Sequence, residues 1–130
     1  MNAHPLTCVV ARGGWGAVEC AVLAAGASPA KDFLKGLDEV ARSRFMVLFQ
    51  QMANHGRISP KRFKKEMGNL WAFRHEVQNR QIRFPCFQDG AKWILTHGFM
   101  KPGAQKGMGA WPKSELNRAE SIAAAYAARK

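Results

Sequence analysis

Four cations stand out by where they fall. Arg74, Arg83, His97 and Lys101 lie along Gly68 to Lys101, GNLWAFRHEVQNRQIRFPCFQDGAKWILTHGFMK, a stretch otherwise rich in apolar and aromatic residues. A guanidinium presents a fixed fork of donors that matches phosphate oxygens. It hardly ever deprotonates, so Arg74 and Arg83 suit holding a phosphate and stabilising charge that develops on it. His97 alone among the four titrates near neutral pH without a large shift, which makes it the candidate for proton transfer. Lys101 adds a further charge. A lysine of Lys61-Arg62-Phe63-Lys64-Lys65 is a second candidate base where neighbouring cations depress its pKa. The competing readings are structural: Arg74 paired with Glu76 at the surface, and His97 as a half-buried, hydrogen-bonded histidine. His55 and His75 have no partner cluster in the sequence. Paired carboxylates, a phosphate-cradling glycine loop and a Ser-His-Asp set are all absent.

The charge balance points to the same kind of ligand. Residues 1–56 carry five Lys/Arg against four Asp/Glu, and residues 57–130 carry fifteen against five, so +10 of the formal +11 lies in the second part. Such a concentration implies a polyanionic partner, nucleic acid before an acidic protein or a membrane surface, against the plainer reading of a solvated basic surface. Cys8, Cys20 and Cys86 are odd in number and fall at no metal-ligand or disulfide spacing, so neither a metal nor another cofactor is expected. The cytoplasm is the expected compartment. The short apolar run from Cys20 to Ala27 is interrupted before it by Glu19 and does not make a signal peptide. No stretch approaches the length that spans a bilayer.

The elements that must position these cations follow from punctuation. A chain of 130 residues fits one domain. Residues 1–16, with Gly13, Gly14 and Gly16 around Trp15, read as a loosely held arm, and 17–130 as the folded domain. Ala17 to Ala25 is a near-continuous apolar strand. Ser28-Pro29 starts a helix to about Leu37, and Asp38 caps a longer one to about Asn54, stopped by Asn54-His55-Gly56. Ser59-Pro60 opens a brief basic helical segment with Phe63 and Met67 inward and Lys61, Arg62, Lys64 and Lys65 outward as a phosphate-facing ridge. Three strands follow, Leu70–Val77, Gln81–Phe87 and Ala91–Phe99, turning at Gln78-Asn79-Arg80 and at Gln88-Asp89-Gly90. Pro85 inside the second strand implies a bulge or a free edge. Alternation from Trp93 puts Leu95, His97 and Phe99 on one face. Trp71, Phe73, Trp93 and Phe99 are assigned to the core, Trp15 and Trp111 to exposed contacts. A glycine-rich loop, Pro102–Ala110, carries Lys106. Pro112 then opens a last helix with Leu116, Ala119, Ile122 and Tyr126 on one side. The expected order is β-α-α-β-β-β-α, an α+β domain of helices on an antiparallel meander.

The strings SPAKDFLKGL, ANHGRI, FKKEMGNLWAFR, QIRFPCFQDGAKWILTHGFMK and ELNRAESIAAAY resemble, in this order, the phage-derived HigB-like toxins of the RelE/ParE toxin–antitoxin superfamily. The resemblance spans about residues 17–126, and LWAFR and LTHGFMK are its most specific parts. It implies a RelE-like fold and a toxin that cleaves mRNA, usually on the ribosome, and is silenced by a cognate antitoxin of helix-turn-helix type. By position, Arg74 matches the arginine of the family's LWEFR-type strand, Arg83 that of the next strand, and His97 and Lys101 the LLHGF-x-K element. The chain departs from the pattern in its longer loop after Lys101 and in Trp111 before Pro112. Metal-free RNA cleavage needs a base for the 2′-hydroxyl, cations for the phosphorane-like transition state and an acid for the leaving oxygen. The catalytic set implied is Arg74, Arg83, His97 and Lys101, with Lys61, Arg62, Lys64, Lys65 and Lys106 binding RNA. The rival class is a non-catalytic basic module that binds nucleic acid, gyrase or another protein.

Overall fold

The computed structural model describes residues 4–101 and 111–130. In chain order its elements are β1 (Thr7–Arg12), β2 (Ala17–Ala21), α1 (Pro29–Gly36), α2 (Glu39–His55), β3 (Phe63–Met67), β4 (Leu70–Val77), β5 (Arg80–Gln88), β6 (Lys92–Leu95), β7 (Phe99–Lys101) and α3 (Lys113–Arg129). The seven strands form one sheet in the order β1-β2-β6-β5-β4-β3, with β7 also paired to β5. The mixed α+β class is as expected, but the order is not β-α-α-β-β-β-α, and the sheet is not purely antiparallel. β2 and β6 run parallel at its centre, Val18 opposite Trp93 and Cys20 opposite Leu95.

Three departures have local causes. The segment read as a loose arm holds a full strand, β1, paired along its length with β2. It is fastened further on, where Trp15 N–H and Gly16 N–H donate to Ala53 O at 2.9 and 3.0 Å and Gln50 Nε2 donates to Arg12 O at 2.7 Å. The basic helical turn expected at 61–65 is strand β3, because Phe63, Lys64 and Lys65 pair with Phe73, Ala72 and Trp71. A hairpin through Gly68, whose φ of 56° glycine adopts without strain, makes that pairing local. The third meander strand is two pieces, β6 and β7, and Pro85 divides them. Pro85 O accepts from Thr96 N–H at 2.9 Å on the β6/β7 side of β5. The N and O of a strand residue face the same side, so the missing N–H of Pro85 leaves a gap in the ladder there. On the other side β4 pairs without interruption from Trp71 opposite Cys86 to Val77 opposite Arg80.

α1 and α2 cover one face of the sheet. Asp38 caps α2 through Ala41 N–H at 2.9 Å, and Gly56 ends it at φ 76°. Ser28 does not cap α1; its hydroxyl donates to Ala21 O at 2.9 Å instead. Phe45 and Phe49 of α2 meet Phe84 and Phe73, ring centroids 4.9 and 5.0 Å apart. All four are fully buried, each burial stabilising the fold by about 1.5–3 kcal/mol. α3 lies on the opposite face. Its Ala119 packs with Leu70, Ala72, Phe99 and Trp111, and its Ile122 and Tyr126 pack with Ala21 and Ile94. Trp111, expected to be exposed, is buried against Phe99 at 5.5 Å, edge to face, and Trp15 is half-buried against the α2 core. Among the described residues no helix is long and apolar enough to cross a membrane.

Candidate functional site

The cations gather on the α3 face of the sheet. The hairpin between β4 and β5 turns on two residues, Gln78 and Asn79, at φ 53° and 65°, so Val77 pairs with Arg80 and Arg74 falls directly opposite Arg83. Directly opposed like charges destabilise a sheet. A third cation joins from β7, where Lys101 stands opposite Gln81 and Phe99 opposite Arg83. Lys101 is therefore diagonal to Arg83 on one face. Lys64, paired with Ala72, points to the same face, whereas Lys65 is opposite Trp71 and points away. The ridge expected at 61–65 is thus divided between the two sides.

Each cation is held. Arg83 is buried, its Nη1 donating to Ile82 O at 3.1 Å and its Nη2 to Gln81 Oε1 at 3.2 Å. Gln81 Nε2 in turn donates to Glu76 Oε1 at 2.7 Å, which fixes the amide so that its oxygen faces the guanidinium. Glu76 therefore steadies Gln81, and Arg74 instead donates from Nη2 to Pro60 O at 3.3 Å. Arg74 Nε is buried without a hydrogen-bond partner among the described residues, a donor left for a ligand. Burial first, and then Arg74 beside it, push the Arg83 pKa down, with Glu66 opposing. Lys101 is also buried. Burial first, then Arg83, lowers its pKa; Glu66 opposes, while Arg74 and Lys64 lower it further. Glu66 is a residue that sequence reasoning misses. It sits at the register shift between Lys65 and Met67, and a bulge re-aims a side chain. The signal that could have found it is its place two residues after Lys64 on a strand. A cleft of about 300 Å3 lined by Lys61, Arg62, Arg74, His75, Glu76, Gln81 and Arg83 opens onto the pair of arginines.

His97 is not in this cleft. Past the Thr96 N–H···Pro85 O bond, His97 and Gly98 leave the ladder at the Pro85 gap, so the expected alternation fails. Leu95 faces the α2 core, while His97 stacks on Phe99, 5.7 Å between centroids, under the first turn of α3. It has no exposed surface. Nε2 lies 3.0 Å from Glu115 Oε1 and Nδ1 3.0 Å from Thr96 Oγ1, so both ring nitrogens are occupied. Burial is the main cause holding its pKa below the ordinary value, against the Glu115 hydrogen bond and with Arg118 adding to it. We expect His97→Ala to cost about 2–4 kcal/mol of stability. The sign of its pH dependence is fixed as well. The unfolded chain, with an imidazole pKa of about 6.5, binds the proton before the folded one does. The His97 contribution is thus complete above about pH 6.5 and is lost as pH falls towards the lowered folded value. Urea midpoints of wild type and His97→Ala across pH 5–8 check both expectations; equal midpoints throughout would place no stabilising role on His97.

The remaining assignments divide. Lys61 and Arg62 line the cleft. Lys65 lines a separate cavity of about 710 Å3 between Trp71 and Tyr126. Lys106 and the loop Pro102–Ala110 lie outside the described residues. Among the described residues, no three His, Cys, Asp or Glu side chains cluster as metal ligands would. The cleft thus holds two opposed guanidiniums, with Lys101 diagonal to Arg83 on the same sheet face, a set suited to an anionic ligand whose charge rises during a reaction. In comparison with known proteins, the family model described as "Phage derived protein Gp49-like (DUF891)" matches residues 32–123. No curated protein matches the chain.

Proposed function

Because the chain belongs to the phage-derived Gp49-like family, a type II toxin family of the RelE/Gp49 group, we propose that it is a HigB-like toxin that cleaves mRNA. The observation that carries this reading is Arg74 directly opposite Arg83. An unfavourable like-charge pair kept on a rigid sheet is explained by a polyanion that neutralises it. The matched segment contains β3 to β7 and most of α3, hence every residue of the cleft.

In this mechanism Arg74 and Arg83 clamp the scissile phosphate and stabilise the dianionic phosphorane. Glu66 takes the proton of the 2′-hydroxyl. The 2′-oxygen forms its bond to phosphorus as the bond to the 5′-oxygen breaks, leaving a 2′,3′-cyclic phosphate. Lys101 gives its ammonium proton to that 5′-oxygen, and its lowered pKa, caused first by burial and then by Arg83, makes it a better acid than an ordinary lysine. His97, with both nitrogens occupied, holds α3 and the β6–β7 connection in place. The chain's residues supply the charge and both proton transfers in this scheme. We place the activity in the cytoplasm, on translated mRNA, with an antitoxin whose acidic segment covers the cleft until it is removed.

Brief induction followed by mapping of new mRNA 5′ ends on ribosomes tests the reading. New ends that vanish in Arg83→Ala support it. Intact mRNA in cells holding folded wild-type protein would overturn cleavage and favour a basic binding module.

A further inference from the structure

The cleft does not end at Arg62 and His75. The same two residues line a second depression of about 420 Å3 whose far wall is the outer surface of α2, with Arg44, Val47 and Gln51. The two depressions share a boundary and form one track. It runs from the arginine pair past the start of β3 to the α2 side of the sheet.

We propose that the α2 half of this track is a binding site for the single-stranded RNA that flanks the scissile phosphate, with Arg44 and Arg62 on backbone phosphates and His75 and Val47 against a base. The proposal rests on the reading of the first cleft as an RNA site and extends it. Arg44 is exposed, and Val47 is 55% exposed, the more exposed of the two bare valines of α2 (Val40 is the other), whereas Phe45, Leu48, Phe49 and Met52 are buried. His75 is held in one orientation. Its Nδ1–H donates to Glu76 O at 2.9 Å, and its ring meets Phe45 edge-on at 6.3 Å. Burial first, then Arg62 and also Arg44, lower the His75 pKa, so both cations act on the ring and it stays neutral at neutral pH. A neutral flat ring and a bare valine set between guanidiniums match the alternation of base and phosphate along a single strand. An acidic peptide would use the cations and leave His75 and Val47 unmatched.

Fluorescence anisotropy of the full chain with labelled 2′-O-methyl oligouridylates, which lack the attacking hydroxyl, tests this. A four-nucleotide probe fills the first cleft, and a ten-nucleotide probe reaches α2. Wild type should bind the longer probe about tenfold more tightly. Arg44→Gln combined with Val47→Ser should remove most of that gain and leave the short probe unaffected. The salt slope for the longer probe should flatten by about 0.7, because one phosphate is no longer neutralised. Both positions are exposed, and thermal melting verifies folding. A folded double variant that binds the longer probe as wild type does would overturn the proposal. So would equal affinity of wild type for the two lengths, or a variant defect confined to polyglutamate, which would assign the groove to an acidic protein segment. Failure of wild type to bind either oligonucleotide would overturn the reading of the first cleft along with it.

Discussion

Arg83→Ala is expected to slow RNA cleavage about a thousandfold, with a smaller loss of RNA binding. The guanidinium is buried and oriented in advance by Ile82 O and by the Glu76–Gln81 pair, so it needs no reorganisation when the phosphorane forms. Removing one such donor from a pre-organised anion site typically costs about 10²–10³-fold, and a buried charge lies at the upper end. Arg83→Lys should recover little, since an ammonium cannot present the fork. The protein should also become more stable, because Arg74 no longer faces a like charge and a buried cation is gone. Single-turnover cleavage and urea midpoints on the same samples read both effects. A variant that is less stable and cleaves normally would reduce Arg83 to a structural residue.

Lys101→Met should slow the chemical step by about a hundredfold or more, the usual contribution of a positioned acid. The pH profile separates proton transfer from simple binding of the substrate. In wild type the rate should decline on the alkaline side as Lys101 loses its proton, and at a pH below that of an ordinary lysine, because burial and then Arg83 lower its pKa. In Lys101→Met that alkaline limb should disappear. Glu66→Gln should slow the chemical step by a similar factor, about a hundredfold. A Lys101→Met rate within a few-fold of wild type, limb retained, would take the proton-transfer role away from this residue.

Much of the scaffold is legible because it is written in local punctuation. Asp38, Gly56 and Pro112 bound their helices where side-chain caps and ring geometry require, and the apolar face of α3 follows from its spacing. The site is legible in part. Cations on adjacent strands are evident, but their register hinges on one residue of turn. A three-residue turn at 78–80 would set Arg83 opposite His75; the two-residue turn observed sets it opposite Arg74. The fate of His97 depends on Pro85, a residue of the neighbouring strand that removes a donor from its partner's ladder. The strand identity of Phe63–Met67 depends on β4, whose pairing overrides a weak local preference. Neither effect lies within reach of a window sliding along one segment. The parallel pairing of β2 with β6 is less visible still, since nothing near Ala17–Ala21 refers to Lys92–Leu95.

That parallel pair also has a consequence for how the molecule comes into being. β2 leaves the ribosome early and must wait for β6, and at ordinary elongation speeds the interval is roughly 4–15 s. Until then the sheet has no centre, and α3, made last, has no floor to pack on. Vectorial synthesis thus withholds the arginine pair's rigid setting until almost the whole polypeptide has emerged. A nascent chain that stops before α3 therefore lacks the helix that covers this face of the sheet, and one that stops before β6 lacks the strand that joins β2 to β5.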